Sequence, residues 1–294
     1  MSAHISVLAA ESLAYLRPER GGLFVDCTLG LGGHTAALLG AGATRVVGID
    51  RDTVALEEAG QRLSLYGDRV DLVHADYRSI DEVLDARHIG AVDGALADLG
   101  VSSMQLDAPG RGFSFQRDEP LDMRMDRSSG RPVSALVAEA SEEELADVIY
   151  QFGEERFSRR IARAIVRARH ESPIETTGHL ASIVRGSVPR RGYVRIDPAT
   201  RTFQALRIWV NRELDGLDRF IESLVRRLAI GARVVIISFH SLEDRLVKHT
   251  FRALEQSTAL IKVLTKKPVM AGEDEVAANP RARSAKLRAA ERVA

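Results

Sequence analysis

Cysteine is all but absent from this 294-residue chain, in which Cys27 stands alone. A single thiol permits no internal disulfide and no cysteine-based zinc site, so no metal is expected and a reducing, cytoplasmic setting is. Long apolar runs are missing too. The longest, Val234-Val235-Ile236-Ile237, has a buried strand's length and falls far short of the roughly 18 to 20 residues that a membrane span needs. The first thirty residues lack the apolar centre of a secretory signal, because Glu11, Arg17, Glu19, Arg20 and Asp26 interrupt them. Aromatics are 5% of the chain, and net charge is zero, with 41 basic residues against 41 acidic ones. Taken over the whole chain, that balance argues against a polyanionic partner, although it says nothing of where the charges lie. What remains, 45% hydrophobic and 28% charged, is an ordinary globular composition that suits one large domain or one domain with a sizeable insertion.

The first hundred residues alternate between strands and helices. Leu23 to Asp26, Arg45 to Asp50, Val70 to Asp76 and Val92 to Asp98 read as strands, with helical segments around Ala36 to Leu39 and over Thr53 to Leu65. Strands separated by helix-length segments predict a doubly wound sheet that is parallel through this half. From Gln105 to about Arg212 the rhythm stops, and loops and helices replace it. Ser141-Glu142-Glu143-Glu144 has the form of a helix N-terminus there. The α/β pattern resumes with a helix over Leu217 to Leu228, a strand over Ala232 to Ser238 and a helix over Ser241 to Leu254. Leu260 to Leu264 and Ser284 to Val293 are placed to form a closing antiparallel pair. The expected fold class is therefore α/β, a Rossmann-like domain (residues 1–104 and 213–294) interrupted by an inserted, mainly helical domain (residues 105–212).

The segment Asp26-Cys27-Thr28-Leu29-Gly30-Leu31-Gly32-Gly33-His34 follows the first strand and opens the first helix of the sheet. Glycines there let the backbone turn sharply and lie against a ligand. Asp50, twenty residues after Gly30, ends the second strand, where a carboxylate accepts both hydroxyls of a ribose. The spacing is G-x-G-G rather than the G-x-G-x-x-G of dinucleotide enzymes, and the acid Asp26 precedes it. That pattern suits the cationic amino-acid end of S-adenosylmethionine better than a pyrophosphate, with a nicotinamide dinucleotide as the alternative. Asp76 and Tyr77, after the third strand, are placed to meet an adenine.

The fourth strand ends in Ala97-Asp98-Leu99-Gly100-Val101-Ser102-Ser103, at the crevice side of an open sheet. It lacks the Asp/Asn-Pro-Pro-aromatic motif of DNA amine methyltransferases. Other strings stand out: Asp98 to Ser103 with Gln105-Leu106-Asp107, Arg111-Gly112-Phe113-Ser114-Phe115 and Pro120-Leu121-Asp122-Met123-Arg124-Met125-Asp126. They continue with Pro198-Ala199-Thr200-Arg201, Ser238-Phe239-His240-Ser241-Leu242-Glu243-Asp244-Arg245 and Asn279-Pro280-Arg281-Ala282-Arg283. Together with His4-Ile5-Ser6-Val7-Leu8, the Asp26–His34 loop and Thr35, Phe203-Gln204-Ala205-Leu206-Arg207-Ile208 and Ser284-Ala285-Lys286-Leu287-Arg288, these blocks run from end to end, and in them the chain resembles the RsmH (MraW) family of ribosomal small-subunit RNA methyltransferases. Asp197 and Glu119 depart from that pattern, where a histidine and a glycine are usual. The resemblance implies S-adenosylmethionine as cofactor and N4 of cytosine 1402 in 16S rRNA, within the 30S subunit, as target. It also implies Gly32, Gly33, His34, Asp50, Tyr77, Asp98 and Gln105 as cofactor contacts; His34 and Gln105 come from the resemblance alone.

A cytosine N4 lone pair is delocalised into the ring, so the protein must orient the amine and accept its developing charge. Position relative to the sheet makes Asp98 and Ser102 the candidates. Ser102 and Ser103 would equally well cap the next segment. His240, after the strand ending at Ser238, is placed to take up a proton, or to serve as a hydrogen-bonded structural residue. Asn211 suits a base edge or a helix end.

Charge is far from uniform. Between Arg156 and Arg212 there are thirteen arginines and three acids, while Glu139 to Glu155 supplies seven acids upstream. Arg190-Arg191-Gly192-Tyr193-Val194-Arg195 combines guanidinium groups, glycine and an aromatic, which suits phosphates and stacked bases. Arg190, Arg191 and Arg195 are the expected nucleic-acid contacts. DNA remains open as a substrate, as does a binding role without catalysis, and the oligomeric state, homodimer included, is not fixed by these residues.

Overall fold

The computed structural model describes residues 6–101, 108–189 and 197–294. The chain divides into two compact units, one made of Met1–Gly100 with Gly216–Ala294 and the other of Val101–Asp215.

The first unit is a seven-stranded sheet in the order β3-β2-β1-β4-β5-β7-β6. Its strands are β1 (Leu23–Asp26), β2 (Arg45–Asp50), β3 (Val70–His74), β4 (Val92–Asp98), β5 (Leu228–Ser238), β6 (Ile261–Val263) and β7 (Lys286–Arg292). The first five are parallel, and β7 runs antiparallel between β5 and β6. This is the Rossmann-like architecture that the sequence leads one to expect, with an antiparallel strand added at one side. Its central strands are apolar on both faces because both faces are covered. Val25, Val47, Ala95, Val234 and Ile236 look into one core, and Phe24, Val46, Leu96, Val235 and Ile237 into the other. Helices α1 (Ala9–Leu16) and α2 (Gly33–Gly40) pack on the second core, and α3 (Thr53–Leu63) closes a small cluster over Leu29. The first core is covered by α4 (Ile80–Asp85) and by two helices from the later segment, taken up below.

Three element ends differ from the sequence expectation. The third strand stops at His74, because the Asp76 carboxylate caps a 3₁₀ turn over Tyr77–Ser79 by accepting from Arg78 N–H at 3.0 Å. The second helix of the sheet stops at Leu63 and gives way to a 3₁₀ stretch, Ser64–Arg69. β5 begins at Leu228 rather than Ala232. The ladder slips between the pairs Val92↔Leu228 and Gly94↔Arg233, and the surplus residues bulge outward, with Ile230 73% exposed and Gly231 at φ +84°.

The second unit consists of α5 (Val133–Glu139), α6 (Glu142–Gly153), α7 (Ser158–Glu171), α8 (Thr177–Ser187) and α9 (Ala199–Asn211) around a core that includes Leu145, Ile149, Ile161, Ile165, Leu180 and Phe203. Ser141 caps α6 by accepting from Glu144 N–H at 3.0 Å. No strand occurs in this unit among the described residues; the single bridge pairs Pro120 with Thr176. On α7 the apolar positions Ile161, Ala162 and Ile165 are buried, while Arg159, Arg160, Arg163 and Arg167 are exposed at i, i+1, i+4 and i+8, which is one stripe of a helix. The remaining helices, α10 (Leu217–Arg226), α11 (Ser241–Ala253) and α12 (Glu273–Ala278), belong to the first unit; α10 and α11 complete the cover of its first core. Among the described residues no helix is long and apolar enough to cross a membrane.

Candidate functional site

Strand order reverses between β1 and β4, so the crevice of an open α/β sheet lies beyond their carboxyl ends. The loop after β1 is braced from inside. Asp26 is fully buried, and its carboxylate accepts from Thr35 Oγ1 at 2.8 Å and Thr28 N–H at 3.3 Å. Burial pushes this carboxyl up against the opposing influence of His34 and the two donors. With no exposed surface, this carboxylate braces the loop, which differs from the ligand contact expected of Asp26. Thr28 ties the loop to β4, since Asp98 N–H donates to Thr28 Oγ1 at 2.6 Å.

Gly32 is the N-cap of α2 at φ +73°, where a Cβ would come within 2.7 Å of the Leu63 side chain. An L side chain is therefore disfavoured both by backbone and by space. Gly33 opens the helix, and His34, one residue on, is buried. His34 Nε2 lies 3.7 Å from Asp98 Oδ2, beyond hydrogen-bond reach. Among the described residues, His34 Nε2 and Asp98 Oδ1 are buried polar atoms without a hydrogen-bond partner. Burial pushes the His34 imidazole down, but the carboxylates of Asp98, Asp26 and Glu275 outweigh it, and its pKa ends above the ordinary value.

Asp50 ends β2. Its Oδ2 accepts from Gly30 N–H at 2.7 Å and its Oδ1 from Asp52 N–H at 2.8 Å. Each oxygen keeps a further lone pair. Burial pushes the carboxyl up to about 6, with the two N–H donors opposing and the charges of Asp52 and Asp26 adding to the rise. Tyr77 is half-buried with its ring 4.5 Å from that of Phe220 on α10. Gly100 follows β4 at φ +99° and keeps the backbone open beside Asp98. Together these features fit S-adenosylmethionine: a paired acceptor at Asp50 for a ribose diol, a backbone cradle at Gly32 and Gly33, and unfilled polar valences at His34 and Asp98.

The profile of the MraW methylase family matches residues 1–293. The chain belongs to that family. It is 52% identical over 307 aligned positions to Ribosomal RNA small subunit methyltransferase H of Geotalea uraniireducens, covering 99% of this chain and 98% of the relative. It is 54% identical to the protein of the same name from Sorangium cellulosum, with 99% and 91% covered. Among solved structures, a rRNA methylase from Streptococcus thermophilus aligns at 14% identity and a TM-score of 0.45 over 99% of this chain and 100% of that one.

Several MraW-family blocks of this chain do structural work. Arg111, 8% exposed, donates from a terminal nitrogen to Met125 O at 2.9 Å, and Asp122 accepts from Arg124 Nε at 2.7 Å, so two blocks lock one loop of the helical unit. Asn211, read from sequence as a base-edge or helix-end residue, is buried at the end of α9. It accepts from Met125 N–H at 2.8 Å and donates to Met123 O at 2.7 Å and Arg207 O at 2.9 Å. Asp197 accepts from Ala199 N–H and from Arg185. His240 is the N-cap of α11: Nδ1 accepts from Glu243 N–H at 3.4 Å, Nε2 lies 3.1 Å from Glu243 Oε1, and Phe239 N–H donates to Glu243 Oε2.

Ser102, Gln105, Arg190, Arg191 and Arg195 lie outside the described residues. Two residues of the site escaped the sequence reading. Thr28 sat in the glycine loop without a chemical signal of its own. Glu275, on α12, accepts from Leu8 N–H at 2.7 Å and bears on His34, a proximity that only the fold creates.

Proposed function

We propose that this methyltransferase acts on the N4 amine of cytosine 1402 in 16S rRNA, within the small ribosomal subunit and in the cytoplasm. The observation that carries the reading is the pair of valences unfilled among the described residues, one on His34 of α2 and one on Asp98 at the carboxyl end of β4. The names borne by relatives at about half identity point to ribosomal RNA of the small subunit.

When bound, S-adenosylmethionine supplies a methyl group on a sulfonium, already activated for displacement. Asp50 accepts its ribose hydroxyls, Gly32 and Gly33 let the backbone lie against it, and Tyr77 offers a ring edge. His34 and Gln105 complete the cofactor contacts by family resemblance. The remaining difficulty lies with the nucleophile. Asp98 accepts a hydrogen bond from the cytosine amine, turns its lone pair out of conjugation and stabilises the positive charge that develops on nitrogen. Ser102, four residues later in the sequence, is assigned as a further acceptor. His240, committed to its helix cap, positions the end of β5.

A base inside paired RNA cannot reach this crevice, so the target is single-stranded or flipped out. The helical unit, expected from sequence over residues 105–212, is assigned to substrate recognition. Arg190, Arg191 and Arg195 engage phosphates together with the exposed stripe of α7. Arg159, Arg160 and Arg167 have no ion-pair partner among the described residues, which leaves them available.

The deciding experiment offers labelled methyl donor with 30S particles, naked rRNA and DNA in parallel and maps the modified base. Label on N4 of one cytosine in ribosomal RNA is the expected result. Transfer to DNA alone, or to a different atom of RNA, refutes the proposal.

A further inference from the structure

Where the sheet of the first unit ends at β6, a pocket of about 340 Å³ opens along the outer flank of α11. Four cations line it: Lys248 and Arg252 from α11, Lys266 after β6, and Arg288 from β7. Its walls include Phe251 and Thr265, both buried. Arg288 is only 5% exposed and is anchored by its Nε donating to Asp244 Oδ1 at 2.6 Å; Lys286 stands 3.7 Å from the same carboxylate. The one acid on the rim, Glu255, is occupied, accepting from Val263 N–H at 2.8 Å. Lys248, Arg252 and Lys266 have no ion-pair partner among the described residues.

This is an unbalanced arrangement. Like charges crowded on one concavity repel, and an anion placed among them relieves that cost. The volume exceeds what a phosphate group alone fills and leaves room for part of a sugar. The register fixes its place relative to the crevice. Leu287 of β7 pairs with Ile237 of β5, which pairs with Asp98. Arg288, the next residue, pairs with Ile236, which pairs with Ala97, so its backbone stands about two strand spacings, or about 10 Å, from that of Ala97, the residue before Asp98.

We infer that this pocket binds a backbone phosphate of the RNA strand a few nucleotides from the base presented at Asp98. The cofactor-binding unit thus has an RNA contact of its own, separate from the arginines of the helical unit. The inference rests on the proposed RNA substrate. Arg288, held by Asp244, forms the fixed end of the site, while Lys248, Arg252 and Lys266 close over the phosphate from the rim.

The test compares wild type with a Lys248→Ala/Arg252→Ala/Lys266→Ala variant for binding to 30S particles and to naked 16S rRNA, between about 0.05 and about 0.2 M salt. Losing this one phosphate contact should lower the slope of log affinity on log salt by about 0.7 and weaken binding severalfold at the upper salt. Cofactor affinity and melting temperature should stay at wild-type values, and a Lys248→Arg/Lys266→Arg variant should retain RNA binding. If wild type methylates ribosomal RNA and the alanine variant binds it with unchanged affinity and slope, the pocket is not an RNA site. Vesicles of phosphatidylglycerol form a parallel arm. Loss of vesicle binding with RNA binding intact would transfer the site to a membrane surface and overturn the inference. Failure of wild type to methylate any ribosomal RNA would remove the proposed function itself, and this inference with it.

Discussion

The Asp50 carboxylate should make affinity for S-adenosylmethionine depend on pH in the mildly acidic range. A ribose diol donates two hydrogen bonds, so the site needs the ionised carboxylate. Burial holds the folded-state pKa at about 6, well above an ordinary aspartate, and the Gly30 and Asp52 N–H groups offset burial only in part. The sign follows directly. Above about pH 7 the group is ionised and affinity is full; as pH falls through about 6, protonation competes with the ligand. At about pH 5 roughly one carboxylate in eleven is ionised, which weakens binding about tenfold, or about 1.4 kcal/mol. Titration calorimetry of the cofactor from about pH 5 to about pH 7.5 measures this. His34 titrates nearby with a raised pKa, so the comparison requires Asp50→Asn, which leaves His34 in place. The asparagine variant should bind weakly at every pH, with the Asp50 inflection gone. A flat wild-type profile, or an asparagine variant that keeps the wild-type pH dependence, would refute the assignment of Asp50.

Three further outcomes are expected. Asp98→Asn should cut turnover roughly a hundredfold or more while the melting temperature holds, because the amide offers the amine one acceptor and no charge; a variant with full turnover and normal binding would rule out Asp98 as the organiser of the amine. His240→Ala should cost about 1 kcal/mol in urea unfolding through the lost cap, and His240→Asn should restore it with turnover near wild type; a collapse of turnover in the stable asparagine variant would instead make the imidazole a proton acceptor. Asn211→Ala should cost about 2 to 4 kcal/mol, because Met125 N–H and Met123 O lose their partners in a buried place; an unfolding midpoint unchanged by this substitution would contradict the bonding described.

The central strands were legible in the sequence because a strand covered on both faces must be a short apolar run, and Arg45–Asp50 and Val92–Asp98 are such runs. The first half of β5 was not, because Gly231 and exposed Ile230 break its run at a bulge that exists only against β4. The glycines and Asp50 were legible because their chemistry is tied to fixed spacing. Asp26 was misread for the reverse reason: a carboxylate beside a glycine loop serves a ligand or the loop, and only the positions of Thr28 and Thr35 decide which. The cap formed by His240 with Glu243 was open to local reading, as an N-cap and an acid three residues later. Glu275 was beyond any local reading, since it lies 267 residues from its partner Leu8.

The cofactor-binding unit is discontinuous in the chain, and this bears on how the protein comes to fold. β4 and β5 are adjacent in the sheet but separated by the helical unit of about 115 residues. Joining them across an unfolded segment of that length costs about 4 kcal/mol of loop-closure entropy. A helical segment rich in local contacts folds quickly, and once folded it presents a much shorter effective tether. The expected order is that the helical insertion condenses first and the pairing of β4 with β5 follows, so that cofactor binding appears last in refolding. A mutation that slows the insertion's folding, such as one that disrupts Asn211, would thereby delay appearance of cofactor binding in a refolding experiment although it touches no cofactor contact.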